Sequence, residues 1–196
     1  MAKQERSRHT YERLLDAAAE EFARVGYADA SLSEVAERAG VTKGALYGHF
    51  SSKRELAAVL RQHLGVTVEE LLGHVPEGEG RGLDELGSFI RSVAERISDD
   101  VRFQAALRLA DEGYQADGKP SALLDGVRTT SHTILREAKK AGHLDAALPV
   151  EPFADLVVVL LFGAYRTSGR HDGGELSQRV QAMWELLAGL VATEQQ

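Results

Sequence analysis

The chain predicts an all-α protein, and three observations carry that prediction. Apolar residues recur three and four apart along most of its length. No stretch shows the two-residue alternation of a strand. Serines, threonines and glycines punctuate the periodic runs where helices start and stop. About nine helices are expected, three of them within residues 1–52 and the rest in a larger helical part over residues 53–196.

Helix 1 is expected from about Thr10 to Val25, with Leu14, Leu15, Ala18 and Phe22 facing inward and a stop at Gly26-Tyr27. Ser31 followed by Glu34 reads as a capping box, in which the serine oxygen takes a first-turn amide and the glutamate reaches back to the cap's own amide. Val35, Ala36 and Ala39 give helix 2 its apolar side, Gly40 suits the left-handed position that ends it, and Val41 turns inward as a plug. Thr42 caps a very short helix 3. Leu46 and Phe50, four apart, share its inner face. That puts Lys43, Gly44, Ala45, Tyr47 and Gly48 outward or at the flank. Ser52 with Glu55 reads as a second capping box, opening helix 4 from about Ser52 to His74 with Lys53 and Arg54 in its first turn.

PEGEGRG at 76–82 is a turn-rich break before helix 5, Leu83 to Ile97. Helix 6 follows at about Val101 to Tyr114, then the break DGKPS at 117–121, then helix 7 from about Ala122 to Ala141. Lys139 and Lys140 complement the negative end of helix 7, and Gly142 fits the position after it. Helix 8, Glu151 to Ser168, opens with Pro152 and runs through FADLVVVLLFGAY; helix 9, Glu175 to Ala192, carries Val180, Met183, Trp184, Leu187 and Leu190 at helical spacing. Helix 8 is apolar around most of its circumference and needs burial on more than one side. With the Trp184 stripe of helix 9 it predicts a four-helix seam against a second copy, and Val158 is a candidate outward position.

Composition narrows the function. The 196 residues hold no cysteine, which removes disulfides, thiolate metal sites and cysteine nucleophiles. No apolar run approaches the roughly 20 residues that span a bilayer, and a soluble, cytoplasmic protein is expected. The seven histidines show no H-x-x-x-H or HExxH spacing, and neither a nucleophile elbow nor a phosphate loop is present. No enzymatic activity, metal or cofactor is expected.

The formal charge is −7, but it is unevenly spread: +1 up to His63 and −8 beyond it. Residues 42–54 contain Lys43, Lys53 and Arg54 and no acid, while Lys3, Arg6, Arg8 and Arg13 form a basic arm. Local charge governs phosphate contact. Two glycines on the outer face of a helix cost about 1 kcal/mol each against alanine, which close approach to another surface would repay. A DNA major groove admits such a helix. Lys53 and Arg54 oppose the dipole at a helix start and make better sense facing phosphate.

The succession of a cap, an Ala-rich helix, AGV, TKGALYGHF and a nearby lysine resembles the DNA-binding domain of the tetracycline-repressor (TetR) family, closely over residues 8–60. The resemblance implies that Lys43, Gly44 and Tyr47 reach base edges or backbone in the groove, with Ser31, Ser33, Ala45, His49 and Lys53 at or near phosphates. Arg6, Arg8, Thr42 and Gly48 complete the candidate DNA-binding residues. The chain departs from the family pattern at Gly48, where a larger, often aromatic residue is usual, and at Ala45, where a hydroxyl is common. The resemblance implies a helix-turn-helix DNA-binding domain over 1–52, a ligand-binding and dimerisation domain over 53–196, and a homodimer formed through the last two helices.

More narrowly, MAKQER, VTKGALYGHF, ALRLADEG and RVQAMWELLAGL are similar to the γ-butyrolactone receptor branch, whose members repress genes until a small lactone binds. That branch usually has a tryptophan over its ligand where this chain has Val127. A repressor released from operator DNA by a small hydrophobic effector is therefore expected. Candidate pocket walls are Phe89, Phe103, Leu107, Val127, Ile134, Leu160 and Phe162, with Gln104, Arg108, Thr130, Thr133 and Tyr165 as polar anchors. The alternative is a ligand-independent factor of the same family with a filled C-terminal core.

Overall fold

The computed structural model describes residues 2–73, 82–117, 122–167 and 175–193. Among the described residues there are helices and no strands: α1 Ala2–Asp29, α2 Leu32–Arg38, α3 Lys43–His49, α4 Lys53–Gly73, α5 Leu83–Asp99, α6 Val101–Asp117, α7 Ala122–Lys140, α8 Val150–Thr167 and α9 Glu175–Thr193. Apart from Gly82 and Asp117, the expected breaks at 76–82 and 117–121 lie outside the described residues, as do His74 and the Lys3 side chain.

Two elements differ from expectation at their starts. α1 begins at Ala2 rather than near Thr10, because KQERSRHT contains no breaker and several good helix formers. The basic arm is therefore the first turns of a helix, with Arg6 and Arg8 exposed on it. Neither expected capping box closes as written. Ser31 does cap α2, accepting from Ser33 N at 3.2 Å, but its own amide turns to Glu21 Oε1 at 3.5 Å rather than to Glu34. At α4, Ser52 Oγ accepts from Glu55 N at 3.2 Å, whereas the Glu55 carboxylate takes the amide and hydroxyl of Ser51, at 2.7 and 2.6 Å. The second half of each box needs a side chain to fold back, and a nearer or better-aimed partner wins.

The chain divides into two compact units, Met1–Thr67 with Asp100–Ser121, and Val68–Asp99 with Ala122–Gln196. This division by compactness differs from the 1–52 and 53–196 domains expected from the motifs, because α6 packs along α1. Ala105 and Leu109 of α6 enter the same core as Leu14, Phe22, Leu46 and Phe50. Arg102 pins the start of α6 to α1 through Glu12 and Asp16, both at 2.7 Å.

In the second unit α7 packs chiefly on α8, and α5 on α9. Trp184 belongs to this interior and not to an outer stripe: it is buried, meets Phe153 edge-on at 6.3 Å, and lies so close to α5 that a Cβ on Gly87 would stand 2.3 Å from its indole nitrogen. The exposed apolar residues of α9 are Met183, Leu186 and Leu190, and those of α8 are Leu156 and Val159. Val158, the expected outward position, is half-buried, because the apolar coat of α8 left its rotation undetermined. Among the described residues no helix is long and apolar enough to cross a membrane.

Candidate nucleic-acid interface

Helix α3 is short and depends on its surroundings. Thr42 Oγ1 accepts from Ala45 N at 3.1 Å at its start. Leu46 and Phe50 are 0% and 1% exposed and anchor it to the core, where Tyr11 of α1 stacks on Phe50 at 4.9 Å between ring centres. Its approach is set by Gly40 (φ 62°), which closes α2 through Gly40 N to Glu37 O and Val41 N to Ala36 O, both 2.9 Å.

The opposite side of α3 faces solvent: Lys43, Gly44, Ala45, Tyr47 and Gly48 are all exposed, Tyr47 at 56%, with His49 half-buried at the flank. About 100° per residue sets Gly44 and Gly48 at the middle of this face, with Tyr47 and Lys43 along one margin and Ala45 on the other. A Cβ added at Gly48 would meet no atom within 4 Å, and one at Gly44 only Thr42 Oγ1 at 3.8 Å. Nothing inside the molecule requires these glycines. No contact within the molecule offsets their cost to the helix.

Three polar clamps fix the end of α1 against α2, α4 and α6, and none of them was read as a clamp in the sequence. Glu21 of α1 is 1% exposed, yet its carboxylate is fully engaged: Arg24 donates to it at 2.8 Å, Arg38 of α2 stands at 3.5 Å, and the Ser31 amide completes the set. It lies three and seven residues beyond Ala18 and Leu14, so a charge on the apolar stripe was the available signal. Arg108 is the second. Expected to anchor a ligand, it instead donates to Ala23 O at 2.8 Å and Arg24 O at 3.0 Å and pairs with Glu112 at 3.3 Å. Glu112 takes the Tyr27 amide at 2.8 Å. Together they brace the kink at Gly26 (φ 81°, ψ −178°), where a Cβ would run into the Glu112 carboxylate at 2.0 Å. An α1 carbonyl end in need of donors captures the guanidinium.

The third clamp is Lys53, expected at phosphate. Its ammonium donates to Ala28 O at 3.0 Å and Ala30 O at 2.9 Å and sits 4.8 Å over the Tyr27 ring, leaving one N–H uncommitted by these contacts. Ser31 and Ser33 are half-buried at the start of α2, and Arg54 is exposed. The Ser51 hydroxyl and amide hold the neighbouring Glu55 carboxyl below its usual pKa range.

The candidate ligand residues are divided. Phe103, Gln104, Leu107 and Arg108 sit on α6, in the first unit. Phe89, Val127, Thr130, Thr133, Ile134, Leu160, Phe162 and Tyr165 belong to the second. Phe89, Val127, Ile134 and Leu160 are buried there; Thr130, Phe162 and Tyr165 are half-buried. Thr133 spends its hydroxyl on Thr129 O at 3.0 Å.

Residues 14–60 match the model of the family described as bacterial regulatory proteins, tetR family. Over 98% of this chain and 67% of the relative, the sequence is 31% identical to the A-factor receptor protein of Streptomyces griseus. Among solved structures, the TetR family protein CprB from Streptomyces coelicolor, in complex with its biological operator sequence, covers 93% of this chain with 88% of its own at 27% identity and a TM-score of 0.75. A gamma-butyrolactone receptor (ArpA-like protein) covers 91% with 99% of its own at 26% identity and a TM-score of 0.66.

Proposed function

The chain belongs to the TetR family of bacterial transcriptional regulators, which bind operator DNA and dimerise, and from that premise we propose that it is a repressor released from its operator by a small hydrophobic effector. The observation that carries the DNA side is the outer face of α3, with a bare centre at Gly44 and Gly48 and exposed Tyr47 and Lys43 beside it. A helix without side chains along its crest can lie deep in a major groove, bringing backbone and marginal side chains to the base edges. Arg6, Arg8, Ser31, Ser33, Thr42, Ala45, His49 and the free N–H of Lys53 then serve the flanking phosphates.

Dimer formation falls to the exposed apolar stripes: Leu156, Val159 and Gly163 on α8, and Met183, Leu186 and Leu190 on α9. Each stripe has the three-, four- and seven-residue spacing of a helix face built to meet another helix. Two copies joined there present two α3 helices to two half-sites. The A-factor receptor and the gamma-butyrolactone receptor are the support for an effector, held within the apolar unit formed by α5, α7, α8 and α9. The effector acts by binding the DNA-free arrangement better, and a coupling of about 1 to 3 kcal/mol lowers operator affinity roughly 5- to 150-fold.

The test is selection of duplexes from a random pool by the full-length protein, followed by titration of the selected site. Tyr47→Ala and Lys43→Ala should each cost about 1 to 3 kcal/mol on that site. Enrichment of no sequence, or unchanged affinity in both variants, refutes the placement of α3.

A further inference from the structure

The effector domain keeps one polar group in reserve. In the second unit the buried side chains are apolar with a single described exception, Ser131 of α7, which is 0% exposed and whose hydroxyl has no hydrogen-bond partner. A helical serine has an easy alternative, since its hydroxyl can bond the carbonyl four residues back. Elsewhere in this chain that is what happens: Thr10, Ser88, Ser98, Thr133 and Thr167 all donate four residues back, at 2.7 to 3.0 Å. Ser131 forgoes this bond while sharing the buried face of α7 with Leu123, Val127, Ile134, Leu135 and Ala138. An unsatisfied buried hydroxyl is expensive to keep. Alanine would fill the same place without that cost.

We infer that the Ser131 hydroxyl is the hydrogen-bonding point for the effector and selects a neutral, mainly apolar molecule carrying an oxygen such as a lactone carbonyl. The inference deepens the effector reading above and rests on it. Charge is argued against by the same interior. Among the described residues of this unit no acidic or basic side chain is buried, so a charged ligand would be desolvated without a counter-charge. A serine hydroxyl can donate to a carbonyl or accept from an alcohol, and either would satisfy it. Because it can serve both, one oxygen in the right place suffices, with apolar walls doing the rest.

The probe is γ-decalactone, an alkyl-substituted γ-butyrolactone, titrated into the full-length protein. Binding is read from the fluorescence of Trp184, the single tryptophan, which packs inside the same unit. Ser131→Ala should melt at or above the wild-type temperature without lactone and bind lactone roughly tenfold more weakly. Ser88→Ala, which removes an exposed hydroxyl bonded to Asp84 O, should bind it as wild type does. A lower melting temperature for Ser131→Ala means the hydroxyl already has an internal partner and overturns the inference. Equal lactone affinity in Ser131→Ala and wild type also overturns it while leaving the effector reading intact. Failure of wild type to bind lactone at millimolar concentration removes the effector class itself, and the role of Ser131 with it.

Discussion

The two units of this protein are held together in different ways. In the first, buried or half-buried charges aim at particular backbone atoms: Glu21 at the start of α2, Arg108 and Glu112 at the Gly26 kink, Lys53 at Ala28 and Ala30. In the second, Lys139 reaches Leu148 O and Arg179 reaches Ala164 O nearer the surface, but the interior is packed by shape, as where Trp184 fills the space over Gly87, and among its described residues the one buried polar side chain has no partner. Directional bonds permit one arrangement, whereas apolar packing tolerates several of similar energy. A helix that must match base edges needs the former. An interior that admits an effector, as proposed, is better served by the latter.

The sharpest way to break this contrast is to put a charge where the second unit relies on apolar contact. Val159→Glu would bury an unpaired carboxylate in each half of the proposed α8–α9 seam, at a cost of several kcal/mol. Sedimentation should show monomers, and operator affinity should fall by at least roughly 100-fold; persistent dimers with full affinity would move the seam elsewhere. Stripping a clamp from the first unit comes next. Glu21→Ala leaves Arg24, Arg38 and the Ser31 amide without their acceptor, and because the two arginines retain partial access to water the loss should be about 2 kcal/mol by denaturant unfolding. An unchanged unfolding midpoint would deny the clamp its role.

Gly48→Ala tests the glycine face through opposite signs. The helix should gain about 1 kcal/mol of stability while operator affinity drops, and a variant that gains both would show that the bare crest serves no approach. The smallest effect belongs to Glu55. Its folded pKa lies below the ordinary value of 4.5, so its contribution is present above that value and is lost as the pH falls through the lowered pKa. Glu55→Gln should therefore melt below wild type at pH 7, with the gap closing as the medium is acidified beneath 4.5. A gap that widens on acidification would contradict that sign.

Local signals were readable in the sequence because they are short. Gly40 with Val41, Leu46 with Phe50, Thr42 as a cap and Gly142 (φ 75°) after α7 each depend on neighbours within a few residues, and each stands where its spacing put it. What stayed hidden needed contacts between distant segments. Arg108 and its target carbonyls are 84 and 85 residues apart, and an arginine on a helical stripe looks the same whether it greets a ligand or a helix end. The outward side of α8 was hidden for another reason. A helix apolar nearly all round carries no rotational mark, so Val158 and Val159 could be told apart only by what α7 and α9 cover. The DNA-facing residues proposed on α3 belong to the first kind, the effector contacts to the second.

The packing of α6 against α1 has a consequence for the birth of the molecule. α2 and α3 leave the ribosome before α6, yet Ala105 and Leu109 of their core, and the Arg102 and Arg108 braces, come roughly 40 to 50 residues after the last of α4's contribution to that core at Leu60. Domains generally fold as units during synthesis, and here the unit is interrupted by α5. A nascent chain carrying a complete α3 therefore still lacks one wall of the interior that supports it. On the proposed reading, competence to grip an operator arrives only with α6, so a prematurely terminated chain ending before it should make a poor competitor for the site.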